Sequence, residues 1–320
     1  MFLLLFTAVL SVGNPNTLPE PFGTIHGVVV NGTRGGEPIS GADVLLRGSS
    51  DGALVPVAKS KADMYGNFVF EHVALEPTIS YLPGSDRDGV HYPGKRLRLN
   101  SSNPTAHVTI VAFDAVQSPS PLVATRHDID VHCEPGVMII KETLLVTNGS
   151  KATYVGEPIG NRPAATLRLS IPENFNRITF DNEFYGRRFW IADRQPITGI
   201  PWPPGDGEMT FTYRVPLEGS SGQIRRPLDL PCSEVRVRVL GENSVQVSCN
   251  LPLVKKANDD LVFASVAKRL PAGYTIELQF GNLPFPWMQC ARLGSIIVLV
   301  SLILVTVVLP RLRGRTASHV

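Results

Sequence analysis

One stretch of the chain concentrates groups able to bind a metal or move a proton: His127-Asp128-Ile129-Asp130-Val131-His132-Cys133-Glu134. Extended backbone alternates side chains between two faces. Asp128, Asp130, His132 and Glu134 then share one face, and His127, Ile129, Val131 and Cys133 the other. An imidazole between carboxylates has donors for a divalent cation, or the setting of a proton-sensitive group. Asp130, His132 and Glu134 are therefore the candidate metal ligands, and they define one reading, a metal-dependent hydrolase with an unfamiliar site. The plainer reading is the polar outer face of an amphipathic strand, because one strand rarely brings so many ligands onto a single ion. That second reading is preferred, so no metal or cofactor is expected.

A second concentration is aromatic. Phe184, Tyr185, Arg187, Arg188, Phe189, Trp190 and Trp202 fall within one loop-rich stretch. Exposed rings flanked by Arg suit stacking on sugar rings or anchoring a partner protein. Tyr185, Arg188, Trp190 and Trp202 are thus the candidate binding residues of a carbohydrate-binding surface module. The competing expectation is that these rings cover the end of a core, since large aromatics are usually buried.

Other reaction centres find no support. No His stands in H-x-x-E or H-E-x-x-H spacing, and no grouping of Ser, His and Asp stands out. Gly32-Thr33-Arg34-Gly35-Gly36 is rich in Gly but joins two strands, with no helix to receive a phosphate. Asp86-Arg87-Asp88-Gly89 begins like a calcium loop, lacks the later ligands, and reads as a plain turn. The chain is expected to be non-catalytic.

Cys133, Cys232 and Cys249 lie in the body of the chain, and Cys290 borders an apolar C-terminal run. A three-residue loop at Gly241–Asn243 would pair Val239 with Val245, Val237 with Val247 and Val235 with Cys249, turning Cys249 inward. Cys232 then falls on the other face, while Cys133 faces inward. A Cys133–Cys249 bridge between sheets and a Cys232–Cys249 bridge both stay open.

The elements that must position these groups are strands. The chain has 320 residues, 28 of them Gly and 27 Pro, a usage that favours a turn-rich β protein. Alternating apolar runs recur at 24–31, 42–47, 54–60, 67–73, 78–82, 95–99 and 106–113. A polar segment at 114–122 with two prolines marks a boundary. Further runs follow at 125–133, 137–147, 164–171, 207–215, 233–240, 244–251, 260–267 and 274–280. Such spacing predicts an all-β protein of two tandem β-sandwich domains, at 24–116 and 122–285. Glu173 to Asp206 reads as an elaborated loop.

The first domain carries a pattern: Gly27-Val28-Val29-Val30, then Gly36-Glu37-Pro38-Ile39-Ser40-Gly41-Ala42-Asp43-Val44, then Asp63-Met64-Tyr65-Gly66-Asn67-Phe68-Val69-Phe70. Gly41 and Gly66 fit left-handed turn positions, and Phe68 and Phe70 alternate into a core. This pattern resembles the carboxypeptidase regulatory-like domain, a transthyretin-type β-sandwich. The resemblance implies a structural spacer, binding module or enzyme appendage. The second region is similar to the sandwich that follows this domain in some bacterial membrane-anchored proteins.

Two apolar segments indicate location. Met1–Val12 is too short to span a bilayer and reads as a signal peptide occupying residues 1–13. Leu293–Leu309 has no charged residue, and Pro310, Arg311, Arg313 and Arg315 close it. It predicts one transmembrane helix at 291–310 and a cytoplasmic tail at 311–320, with the earlier domains extracytoplasmic. Without those three arginines, 27 basic residues face 28 acidic ones. With no basic, aromatic-interleaved stretch, nucleic acid is not an expected partner. The expected role is a structural or interaction element at the cell envelope, with the membrane and a glycan or envelope protein as partners.

Overall fold

The computed structural model describes residues 22–160, 162–181, 189–217, 219–240, 245–257, 260–265, 268–284 and 287–304. The expected signal segment and cytoplasmic tail lie outside them. Among the described residues the protein is all-β with one helix, and the chain divides into two compact units, Met1–Ala115 and Val116–Val320.

Unit 1 contains β1 (Phe22–Asn31), β2 (Asp43–Ser49), β3 (Val55–Lys61), β4 (Asn67–Ala74), β5 (Ser80–Arg87), β6 (Val90–Pro93) and β7 (Thr105–Ala112). One sheet centres on β1, which runs antiparallel to β4 and parallel to β7. The other has the order β3-β2-β5-β6. Period-two alternation sends Ile25, Val29, Phe68, Phe70, Val108 and Ile110 inward from the first sheet, and Val44, Leu46, Tyr81 and Tyr92 from the second. Gly66 has φ +78°, and a Cβ there would stand 2.6 Å from the Val29 carbonyl oxygen, so the turn into β4 requires Gly. The Asp63 carboxylate locks the same turn by accepting the backbone N–H groups of Tyr65 and Asn67, each at 2.8 Å. The expected run at 95–99 forms no strand. Instead Leu97 bridges to Tyr81, while β5 and β6 make a hairpin whose Asp88 and Gly89 both have positive φ.

Unit 2 contains β8 (Leu122–Glu134), β9 (Val137–Asn148), β10 (Arg177–Phe180), β11 (Gly205–Pro216), β12 (Gly222–Pro227), β13 (Cys232–Leu240), β14 (Gln246–Cys249), β15 (Leu253–Ala257), β16 (Asp260–Ala264) and β17 (Thr275–Gly281). A seven-stranded sheet has the order β10-β11-β9-β8-β13-β16-β15, and a three-stranded sheet the order β12-β17-β14. β8 and β13 pair in parallel, Ala124 with Cys232 through His132 with Leu240. Both sheets bury apolar side chains in one cluster, including Ile129, Val131, Phe211, Val237, Ile276 and Leu278. The expected hairpin across Gly241–Asn243 is not formed. β13 stays in the large sheet while β14 pairs with β17 in the small one, so the chain changes sheets there. The described residues of the stretch read as one long loop include β10 and a hairpin of Phe189–Ala192 with Gln195–Thr198, before β11 begins at Gly205. Asp193 and Arg194 close that hairpin with positive φ.

Helix α1 (Trp287–Ile303) follows. Among the described residues no helix is long and apolar enough to cross a membrane. The expected span at 291–310 extends past the described residues, which stop at Leu304.

Candidate functional site

Unit 2 places its charged groups in two layers, one on each face of β8. The inner layer occupies the core. β9 sends Met138, Ile140, Leu144 and Val146 inward, and Glu142 takes the same parity with no exposure at all. β8 brings His127 and β11 brings Tyr213 to either side of it. Arg226, at the end of β12, reaches it from the small sheet. One Glu142 oxygen, Oε1, accepts the Tyr213 hydroxyl at 2.7 Å and Arg226 Nε at 2.9 Å. The other, Oε2, accepts Arg226 Nη2 at 2.9 Å and lies 2.8 Å from His127 Nε2. Arg226 Nη2 also donates to Asp229 Oδ2 at 2.6 Å, its Nη1 donates to the Pro227 carbonyl, and Asp229 Oδ1 accepts the Ser170 N–H.

Burial opposes ionisation of Glu142, but the Arg226 charge and the His127 hydrogen bond outweigh it and hold the carboxyl far below its usual range. Burial also works against the Arg226 cation, and Asp229 and Glu142 reverse that effect, so it stays charged. Burial, then the Glu142 charge, pushes the Tyr213 hydroxyl well above its ordinary value. Both Glu142 oxygens are thus occupied by protein donors. The arrangement suits a clamp between two sheets, since a carboxylate so engaged has no free lone pair directed at a substrate.

The outer layer is exposed. Parallel register sets Arg126 beside Glu234, Asp128 beside Arg236 and Asp130 beside Arg238, so opposite charges face each other at three successive outward positions. Asp130 forms a two-pronged pair with Arg238 at 2.8 and 2.9 Å, and Arg126 donates to Asp128 at 2.8 Å. An open cleft of about 890 Å³ lies over this face, lined by Asp128, Asp130, Arg236, Arg238, Lys255 and Asp260 among others.

The candidate ligands Asp130, His132 and Glu134 share this outer face, opposite the buried His127, Ile129, Val131 and Cys133. They do not converge: Asp130 is taken by Arg238, and His132 Nε2 lies 3.8 Å from Glu134 Oε1 at the surface. Among the described residues no group of three or more His, Cys, Asp or Glu is placed to hold a metal ion.

Of the aromatic candidates, Tyr185 and Arg188 lie outside the described residues. Trp202 is only 5% exposed, part of the unit 2 core, and so has no free ring face for a sugar. Trp190 is half-buried on the Phe189–Ala192 strand, where it pairs with Ile197. Cys133, Cys232 and Cys249 are all free thiols, so neither candidate bridge is formed. Burial pushes the Cys133 and Cys232 thiols up to about 11. The bridge geometry argued from the sequence depended on the Gly241–Asn243 hairpin, which the crossing between sheets removes.

Glu142, Arg226, Tyr213 and Asp229 were not among the sequence candidates. The signal that could have found Glu142 is a charge at the same parity as Met138, Ile140, Leu144 and Val146. Arg226 carried no such signal, because the run around β12 was not recognised as a strand. No family model matches the chain, and no curated protein is similar to it.

Proposed function

We propose that the chain is a single-pass membrane protein displaying two β units on the extracytoplasmic side of a cytoplasmic membrane. There it serves as a non-catalytic structural or interaction element of the cell envelope, with unit 1 as a carboxypeptidase regulatory-like module. The observation that carries this reading is the surface of α1. Ile296, Ile297, Val298, Leu299 and Val300 are consecutive, and each is between 50% and 65% exposed. Five successive helical residues point to every side of the axis. Over this stretch the helix is therefore apolar all round, and none of the five side chains is buried under protein. Hydrocarbon accepts such a surface, since a helix satisfies its own backbone hydrogen bonds. The Ser301 hydroxyl also stays within the helix, donating to the Ile297 carbonyl at 2.8 Å. In sequence the apolar run continues through Leu309, and Arg311, Arg313 and Arg315 supply the positive flank that keeps a tail in the cytoplasm.

The engaged core of unit 2 supports display over chemistry, and the charge ladder on its outer sheet face supports an interaction role. Membranes from cells expressing the tagged chain, washed in alkaline carbonate, test the anchor. The full chain should remain in the pellet, and a chain ending before Trp287 should leave it. Release of the full chain by the wash overturns the reading.

A further inference from the structure

The described histidines differ in what their rings already do. His91 lies 2.6 Å from Asp86 and 2.9 Å from Arg47, and His127 is held by Glu142. His132 stands near Glu134, and His72 meets the Phe22 ring edge-on. His26 and His107 are engaged only with each other. They are register partners on the parallel strands β1 and β7, on the outer face of the unit 1 sheet. Their rings stack with centroids 5.4 Å apart and planes 20° apart. Both side chains are exposed, and neither ring has a hydrogen bond or ion pair to the described residues. The pair opens into a groove of about 780 Å³, also lined by Lys61, Asp63, Asn67 and Thr109.

We propose that His26 and His107 form a two-imidazole site for a divalent first-row transition metal, binding Cu²⁺ more tightly than Zn²⁺. The ladder on either side of the pair, Gly27 with Val108 and Ile25 with Ala106, fixes the spacing of the two Cα atoms. Imidazole nitrogens bind such ions at ~2.0–2.1 Å, so the two donor atoms must close to roughly 3–4 Å. Exposed rings at this separation reach that distance by turning about their side-chain torsions, with no backbone movement. Nitrogen donors select copper, nickel and zinc over calcium and magnesium, which take oxygen ligands, and Cu²⁺ leads the affinity order. The nearby Asp63 carboxylate is committed to its turn, accepting Tyr65 N–H, Asn67 N–H and Asn67 Nδ2. Water fills the remaining positions on the ion. Such a site makes unit 1 a metal-binding surface, independently of how the chain is anchored.

Calorimetric titration of the purified full chain with Cu²⁺ in detergent, alongside electron paramagnetic resonance, tests the site. The first equivalent of Cu²⁺ should show hyperfine splitting from two nitrogens. His26→Gln and His107→Gln should each remove that signature and weaken the first equivalent by about tenfold or more, because the second ring is presented at an effective concentration of order millimolar. His132→Gln should leave both readouts unchanged. The proposal fails if the double variant binds the first Cu²⁺ as tightly as the unaltered chain, if either single variant keeps the two-nitrogen signature, or if His132→Gln removes it. Unchanged thermal melting of the variants excludes loss of fold as the cause.

Discussion

Replacing Arg226 by Met removes the guanidinium that, among the described residues, pairs with Glu142, and leaves two buried carboxylates, Glu142 and Asp229, without it. Breaking a buried ion pair on one side costs about 3–5 kcal/mol, because the remaining charge is left uncompensated. At ~2–4 °C per kcal/mol for a domain of this size, the melting temperature of unit 2 should fall by roughly 6–20 °C. The companion change is more telling. In the unaltered protein Glu142→Gln should destabilise, since it weakens the bonds from Tyr213 and Arg226. In the Arg226→Met background the same change should stabilise, because it deletes a buried charge that has lost its cation. Such a reversal of sign implies a coupling of about 1–3 kcal/mol between the two sites. Tryptophan fluorescence during urea unfolding reads this directly, because Trp190, Trp202 and Trp287 are the only tryptophans and all lie in unit 2. Equal destabilisation by Glu142→Gln in both backgrounds would refute electrostatic clamping of the sheets by this network.

Two further outcomes follow from the same geometry. The folded Glu142 carboxyl titrates below its ordinary value of 4.5, so its contribution is complete above that pH and disappears as the pH falls further. The urea midpoint of unit 2 should therefore hold steady from pH 7 to about 5 and drop in more acid solution, and Glu142→Gln should flatten the drop. In unit 1, Gly66→Ala forces a positive φ on Ala and sets its Cβ against the Val29 carbonyl, which should destabilise the unit by about 1–3 kcal/mol. Limited proteolysis with mapping of the cleavage sites should show unit 1 opening while unit 2 stays intact.

Much of the framework was legible because burial follows period two. Strands 125–133 and 137–147 were placed within a few residues of β8 and β9, and every face assigned between His127 and Glu134 agrees with the observed burial. The Gly41 and Gly66 turns were equally readable, since backbone sterics at those positions are local. What escaped the reading depended on distant partners. A three-residue gap after Leu240 suits a hairpin as well as a change of sheet, and only the pairing of β14 with β17 decides between them. The Asp193–Arg194 hairpin has no Gly to signal it. Trp202 was read as a candidate ring platform because sequence says nothing of how completely a Trp is covered. The Glu142 network joins four separate segments, so the local pattern around its glutamate, arginine and tyrosine did not single any of them out.

The first long strand of each unit lies parallel to one that arrives much later in the chain: β1 beside β7, and β8 beside β13. A parallel neighbour cannot be supplied by a tight turn. Register partners are 81 residues apart in unit 1 (Thr24 with Thr105) and 108 apart in unit 2 (Ala124 with Cys232), so each unit must hold its opening strand incomplete until that much more chain has been made. Assembly is governed by long-range closure and is slow, with an unpaired edge exposed in the interval. Each unit gains its final form only when its late strand becomes available.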